Sequence, residues 1–165
     1  MGGKPDSGGP ALRKMVLEAK PADFGLAPTA DRPHVWAAMM EWQVQKTVVS
    51  LVAVAEGSTS LYFSTGGGII GGGEQESLRA ASRKLLGFVE KSLEMFVPMA
   101  SPLSVLQDAI TFTVLTFEGI RGARDREGQI TQRKSPLWPV YYLGQEVITA
   151  LRLATEKAPG GKPAG

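Results

Sequence analysis

The stretch "VQKTVVSLVAVAEGSTSLYFST", Val44 to Thr65, decides the fold because it carries the strongest strand signal in the chain. Residues 44–55 are rich in β-branched side chains, Glu56 to Ser58 interrupt them, and 61–63 resume an extended pattern. We therefore predict a β-hairpin. The apolar residues of its first strand are nearly continuous rather than alternating, which predicts a central strand covered on both faces.

The segment before this hairpin has the spacing of a helix. In "DRPHVWAAMMEW", 31–42, Asp31 is a candidate N-cap and Pro33 suits the first helical turn. The large apolar residues recur at helical spacing: Val35, Trp36, Met39 and Met40. We therefore predict a short amphipathic helix here. Residues 1–28 are interrupted by glycine and proline, and we expect a disordered or loosely docked tail.

Four further segments follow the hairpin. An apolar stripe at helical spacing predicts the longest helix over 74–96, ended by Pro98. Alternation over 110–115 predicts a strand. The charged segment 119–134 predicts either a strand end or a second, exposed hairpin. A last amphipathic helix begins after Ser135, a good N-cap that is followed by proline.

The order helix, β-hairpin, long helix, strand or strands, helix predicts an α+β fold with a small, mainly antiparallel sheet covered by helices. A chain of 165 residues fits one domain, which we place at 29–156, with 157–165 as a disordered C-terminal tail. No run of about 18 apolar residues occurs, so the sequence predicts no membrane span. A cytoplasmic location is the default expectation.

The stretch "STGGGIIGGG", 64–73, resembles a phosphate-binding loop in its glycine content. A P-loop also needs a following lysine and a serine or threonine, whereas Glu74 and Glu76 follow here and would repel an anion. We interpret the glycines as positions that permit positive φ angles or close backbone packing, with the two isoleucines anchored in the core or in an interface. The alternative, a ligand or partner loop, comprises Ser64, Thr65, Gly66, Gly67, Gly68, Ile69, Ile70, Gly71, Gly72 and Gly73.

The sequence contains no group of residues that specifies a reaction. Cysteine is absent and His34 is the only histidine, which excludes cysteine ligands and a histidine cluster within one chain. The close acid pairs, Glu74 with Glu76 and Asp125 with Glu127, flank a helix start and a turn, where solvated acids are common. We predict no catalytic residue, no metal site and no cofactor, and we favour a protein that is not an enzyme.

Charge indicates no particular partner. The chain has 18 Lys and Arg against 16 Asp and Glu, a net charge of +2. The one basic region, 121–134, is interrupted by Asp125 and Glu127, and it lacks the aromatic residues that stack on bases. We therefore expect no nucleic acid partner.

Aromatic and methionine side chains on or beside the predicted first and last helices are candidates for an interface. Their simpler interpretation is packing in the core. A small sheet with helices on one face nevertheless leaves apolar surface that a dimer could cover. The interface candidates are Trp36, Met40, Trp42, Trp138, Tyr141 and Tyr142.

Two resemblances bear on function. The run from "VVSLVAVAEGSTSLYFSTGGGIIGGG" to "GQEVITALRL" resembles an uncharacterised bacterial protein family with "STGGG" at a strand end and "QEVIT" in a C-terminal helix, which implies no activity. The element order is similar to that of the roadblock domain, with roadblock-like or profilin-like layers. This second resemblance implies dimerisation through sheet and helix, in a scaffold or a regulator of small GTPases.

The sequence as a whole favours a non-catalytic protein–protein interaction or scaffold module whose partner is a protein or a second copy of itself. A homodimer is the expected assembly. The alternative is a small-ligand-binding or enzymatic domain that uses the glycine-rich loop 64–73, together with His34.

Overall fold

The computed structural model describes residues 9–71 and 74–157, in which the strands pair into one antiparallel sheet. The strands are β1 (Val35–Val44), β2 (Thr47–Val54), β3 (Thr59–Phe63), β4 (Gly68–Gly71), β5 (Val97–Met99), β6 (Ala109–Thr116) and β7 (Gly119–Arg126). The helices are α1 (Gly9–Glu18), α2 (Glu76–Lys91), α3 (Glu127–Thr131) and α4 (Trp138–Lys157), with short 3-10 turns at Pro21–Phe24 and Leu93–Met95. Across the sheet the order is β4-β3-β2-β1-β6-β7-β5. The predicted α+β class with an antiparallel sheet is confirmed.

The hairpin predicted within 44–65 is formed by β2 and β3. The two strands pair from Ala53 opposite Thr59 to Val49 opposite Phe63. Gly57 lies in the intervening turn with a φ of 115°, in the left-handed region that favours glycine. The last six residues of β2 are buried, because helices cover both faces of the sheet here. The nearly continuous apolar pattern of β2 therefore reflects burial on both faces, as the sequence predicted.

The predicted helix over 31–42 is wrong, since Val35–Val44 form β1. This strand pairs with β2 on one side and β6 on the other, and its first seven residues are all buried. A strand covered on both faces carries apolar residues at consecutive positions, and such a run also contains helical spacings. Pairing with two neighbouring strands outweighs the helix propensity of its alanine and methionine residues.

Successive residues of β1 face two separate cores. Ala38 and Met40 pack on the side covered by α2 and α4, which we call the α2/α4 face. Ala37 and Met39 pack on the side covered by α1 and the 3-10 turn at Pro21–Phe24, which we call the α1 face. The α1-face core consists of Val16, Trp36, Ala37, Met39, Val52, Val54, Tyr62 and Leu115. The N-terminal segment thus supplies one of the two layers that cover the sheet.

The remaining predictions differ from the structure mainly at element boundaries. The long helix predicted over 74–96 ends at Lys91 as α2, because the chain turns at Leu93–Met95 and enters β5, where Pro98 lies. The strand predicted over 110–115 is β6. Segment 119–134 forms one strand, β7, followed by the short helix α3, which the sequence did not predict; β7 pairs with the preceding strand β6.

The structure describes most of the predicted N-terminal tail but only one residue of the predicted C-terminal tail. Of the predicted C-terminal tail 157–165, the structure describes Lys157, which ends α4. Of the predicted N-terminal tail 1–28, it describes 9–28, where α1 packs on the sheet with Val16 only 8% exposed. Within the described ranges, no helix has both the length and the apolar character needed to cross a membrane.

Candidate functional site

The β3–β4 hairpin contains the first half of the glycine run, and its turn requires glycine. Gly66 and Gly67 have φ angles of 116° and 84°, which side-chain-bearing residues rarely adopt. The Gly66 amide donates to the Phe63 carbonyl at 2.9 Å. The Ser64 hydroxyl accepts a hydrogen bond from the Val48 amide at 2.7 Å, which ties the turn to β2. The Gly66 amide and the Ser64 hydroxyl therefore both form hydrogen bonds within the chain.

The next glycines allow β4 to lie close to its neighbours. A Cβ atom on Gly68 would lie 2.5 Å from the Leu61 carbonyl oxygen. A Cβ atom on Gly71 would lie 2.6 Å from side-chain carbons of Leu78 on α2 and Leu151 on α4. The structure thus gives each of these glycines a packing reason. Gly72 and Gly73 lie outside the described residues.

The two isoleucines of β4 point to opposite faces of the sheet. Ile69 packs against the core of the α2/α4 face. Ile70 pairs with Ser60 in the sheet register and is 73% exposed on the α1 face. β4 occupies one end of the strand order and is hydrogen-bonded to β3 alone within the described chain. Ile70 is therefore an exposed apolar side chain on an edge strand.

The other interface candidates are mostly covered by this chain. Trp36 and Met40 are 3% and 2% exposed and belong to the two cores. The half-buried members pack against the α2/α4 core: Trp42, Trp138 and Tyr141. Tyr142, on α4, is 50% exposed and is the most exposed of the six interface candidates.

His34 lies apart from the glycine hairpin. It precedes β1, which starts beside the end of β2, whereas Ser64 bonds to Val48 near the start of β2. Since β2 runs antiparallel to β1, His34 and the β3–β4 turn lie toward opposite ends of the strands. The structure therefore does not bring together the two parts of the alternative ligand site.

His34 instead forms a pair with Glu90 of α2. The His34 ring nitrogen Nδ1 lies 2.9 Å from Glu90 Oε2. Glu90 Oε1 accepts hydrogen bonds from the backbone amides of His34 and Val35, each at 2.9 Å. The carboxylate thereby attaches α2 to the point where the chain enters β1. Among the described residues no hydroxyl group hydrogen-bonds to the His34 ring, so a nucleophile–histidine–acid arrangement is not formed there.

Stability should depend on the ionisation of Glu90. Burial raises the pKa of this carboxyl, but the backbone amides of Val35 and His34 and the His34 ring outweigh burial and hold the pKa below its ordinary value of 4.5. A folded-state pKa below the unfolded one stabilises the fold above about pH 4.5, and this stabilisation is lost as the pH falls through the folded pKa. We expect Glu90→Gln to cost about 1–2 kcal/mol at neutral pH. Urea unfolding at a series of pH values measures it.

Exposed Glu94 provides the matched control for this prediction, because it lies just beyond the same helix. The difference between wild type and Glu90→Gln should shrink as the pH falls below 4.5. Glu94→Gln should change stability little at any pH. A constant Glu90→Gln effect down to acidic pH would contradict the assigned role of the ionised carboxylate.

A partly buried ion pair, in which the Arg13 side chain is 26% exposed, joins α1 to the sheet. Glu41 of β1 is 0% exposed, and its Oε2 accepts hydrogen bonds from Arg13 Nε at 2.7 Å and from the Ser50 hydroxyl at 2.6 Å. Arg13 also donates to the Leu103 carbonyl at 3.3 Å. No sequence pattern predicts this pair. The one indication in the sequence is Glu41, a single glutamate in the apolar run of 35–42. This glutamate indicates a buried charge only once the run is assigned to a strand.

No protein-family model, curated protein or solved structure matches this chain. The resemblances to the bacterial family and to the roadblock domain stay hypotheses. Within the described residues, no three His, Asp or Glu side chains are grouped as ligands for a metal ion. The geometry of the molecule is therefore the basis for a functional proposal.

Proposed function

We propose that this chain is a non-catalytic protein–protein interaction module that forms a homodimer by pairing β4 with β4 of a second copy. The observation that carries the proposal is the sheet edge at β4, which pairs with no strand other than β3 in the described part of the chain, with Ile70 exposed beside it. An edge strand presents unpaired N–H and C=O groups and is a template for a further strand. β-Strand addition is a common mode of protein recognition.

Proteins usually protect such edges with charged residues, proline or very short strands. The other edge strand, β5, has only three residues and contains Pro98, which pairs with Arg121. The segment from Gly57 to Gly71 contains no charged residue and no proline. β4 is also short, with four residues, but it lacks the proline of β5 and has no charged residue to discourage pairing.

A β4–β4 contact satisfies the symmetry of a dimer. Two copies of one strand that pair antiparallel are related by a two-fold axis, so each residue of one copy meets the equivalent surface of the other. In this arrangement Ile70 of each copy is brought near the other copy, and part of its exposed surface is removed from water. The contact closes after two copies, and the two seven-stranded sheets become one continuous sheet.

The test compares Ile70→Lys with Val97→Lys. Val97 is the matched control because it is an apolar side chain, 58% exposed, on the opposite edge strand. Light scattering over a range of concentrations should give a dimer for the wild type and for Val97→Lys. Ile70→Lys should raise the dimer dissociation constant at least about tenfold, which is about 1.4 kcal/mol.

Two results would contradict this proposal. A wild-type chain that stays monomeric when concentrated would exclude the homodimer. A dimer that Ile70→Lys leaves intact would place the interface elsewhere, for example at exposed Tyr142 on α4. Circular dichroism of both variants checks that the lysine has not altered the fold.

A further inference from the structure

The outer side of α2 borders an open, basic cleft. The cleft has a volume of about 880 Å³ and lies between the 29–32 loop, α2 and Leu143 of α4. The side chains that border it are those of Arg32, Arg83, Lys84, Phe88, Lys91 and Leu143, with Thr29 and Asp31 at the loop. Its volume falls in the range of small-molecule sites, which are about 300–1,000 Å³.

The charge of the cleft is concentrated rather than typical of the surface. It carries four cationic side chains against one carboxylate, Asp31, a local excess of three positive charges. The whole chain has a net charge of +2. None of the four cations forms an ion pair with another residue in the described part of the chain. Like charges gathered without partners attract anions into a concave site.

Gly87, which also borders the cleft, provides a second observation. It lies in the interior of α2, where glycine is the least favourable residue after proline. A Cβ atom there would meet nothing within 4 Å, so packing within the chain does not require a glycine. Arg83, Gly87 and Lys91 follow one another at four-residue intervals and share one helix face. The glycine thus leaves open space between two cations.

The remaining lining indicates what kind of anion fits. Phe88 and Leu143 add an apolar portion beside the cations. Two hydrogen bonds close the 29–32 loop on itself: the Arg32 amide donates to the Thr29 hydroxyl at 3.0 Å, and the Thr29 amide donates to the Arg32 carbonyl at 3.1 Å. Guanidinium groups bind phosphoryl oxygens well because their donors match the spacing of those oxygens.

From this geometry we infer that the cleft binds a small organic phosphate with two or more negative charges. Arg32, Arg83 and Lys91 bind the phosphoryl groups, and Phe88 and Leu143 contact the organic part. Gly87 keeps the space above α2 free for the ligand. This site is separate from the β4 edge, and it requires no catalytic step.

Calorimetric titration of the full chain with inorganic pyrophosphate and with adenosine diphosphate tests the inference. At about 150 mM salt, where weak surface attraction is screened, both probes should bind. Adenosine diphosphate should bind more tightly, because it has an organic part. Arg83→Ala should raise both dissociation constants at least about tenfold. Arg152→Ala is the matched control, because Arg152 is an exposed arginine of α4 outside the cleft.

The Gly87→Ala variant distinguishes an effect on ligand binding from an effect on folding stability. Alanine should raise the melting temperature, because it favours the helix and meets no neighbouring atom. The same change should weaken binding of adenosine diphosphate. A more stable variant that binds as tightly as wild type would overturn the role of Gly87 as ligand space.

Other outcomes would overturn the inference as a whole. If Arg83→Ala and Arg152→Ala weakened phosphate binding equally, the phosphates would be attracted by the net charge of the protein and not bound at a specific site. If adenosine diphosphate bound no more tightly than pyrophosphate, the assignment of an organic phosphate as the ligand would be contradicted. A short single-stranded oligonucleotide that binds when both small phosphates do not would replace this assignment with a nucleic acid surface.

Discussion

Replacing Arg13 with alanine should lower the free energy of unfolding by about 3 kcal/mol, although Arg13 lies in the N-terminal segment that precedes the sheet. Its partner Glu41 is completely buried, and one of its oxygens, Oε1, has no hydrogen-bond partner among the described residues. Removing Arg13 would leave a buried carboxylate with only the Ser50 hydroxyl to stabilise it. Breaking a buried ion pair from one side is costly because the remaining charge keeps its desolvation penalty.

Two variants control the Arg13 prediction. Lys14→Ala breaks the neighbouring Lys14–Glu18 pair, whose side chains are 75% and 67% exposed, and it should cost less than about 0.5 kcal/mol. Arg13→Ala combined with Glu41→Met should recover part of the lost stability, since no charge then stays buried. Urea unfolding of the four chains measures both effects. An Arg13→Ala variant as stable as Lys14→Ala would mean that α1 does not dock on the sheet in solution.

Trp36→Ala should cost about 3–5 kcal/mol, the range for removing a large aromatic side chain from a core. Trp36 is 3% exposed in the α1-face core, and its ring centroid lies 5.8 Å from that of Phe24 in the 3-10 turn. Truncation removes the largest side chain of this core and leaves a cavity that the sheet backbone cannot close. Thermal and urea unfolding of the variant measure the loss.

Trp138→Ala is the matched control for Trp36. Trp138 is half-buried at the start of α4, and it lies beneath the Arg133 guanidinium at 4.6 Å from the ring centroid. Its truncation should cost about 1–2 kcal/mol, because the side chain lies at the margin of the core and is already partly exposed to water. A double-mutant cycle with Phe24→Ala should give a coupling of about 0.5–1.5 kcal/mol for the Phe24–Trp36 pair. Equal losses for the two tryptophans would contradict the placement of Trp36 in a covered core.

The Arg13 and Trp36 predictions both concern the α1 face, whose covering segment is not identified by any local sequence pattern. The helical spacing of Leu12, Met15 and Val16 was visible, but glycine and proline around it indicated a loose tail. Docking depends on a partner surface formed by β1, β2 and β3, whose residues are distant in sequence. No local pattern encodes that surface, so the layer could not be predicted before the strands were placed.

The candidate site was predictable in part. The glycine run drew attention to 64–73, and a geometric interpretation agrees with the φ angles of Gly66 and Gly67. The position of β4 at the sheet edge could not be read from these residues, because strand order depends on which neighbours pair. No sequence motif marks the basic cleft either, because Arg32 and Arg83 are about 50 positions apart in the sequence. Only the folded structure brings these two residues to the same cleft.

The sequence by itself determined the α+β class, the β2–β3 hairpin, the strand β6 and the long helices, because each rests on local periodicity, capping or turn residues. The tertiary structure alone decided that 35–44 is a strand, that α1 covers the second face, and that Glu41 meets Arg13. Local patterns record which side of an element is apolar. They do not record which elements supply the cover, even where a continuous apolar run such as that of β2 indicates burial on both faces, because the covering elements lie far apart in the chain.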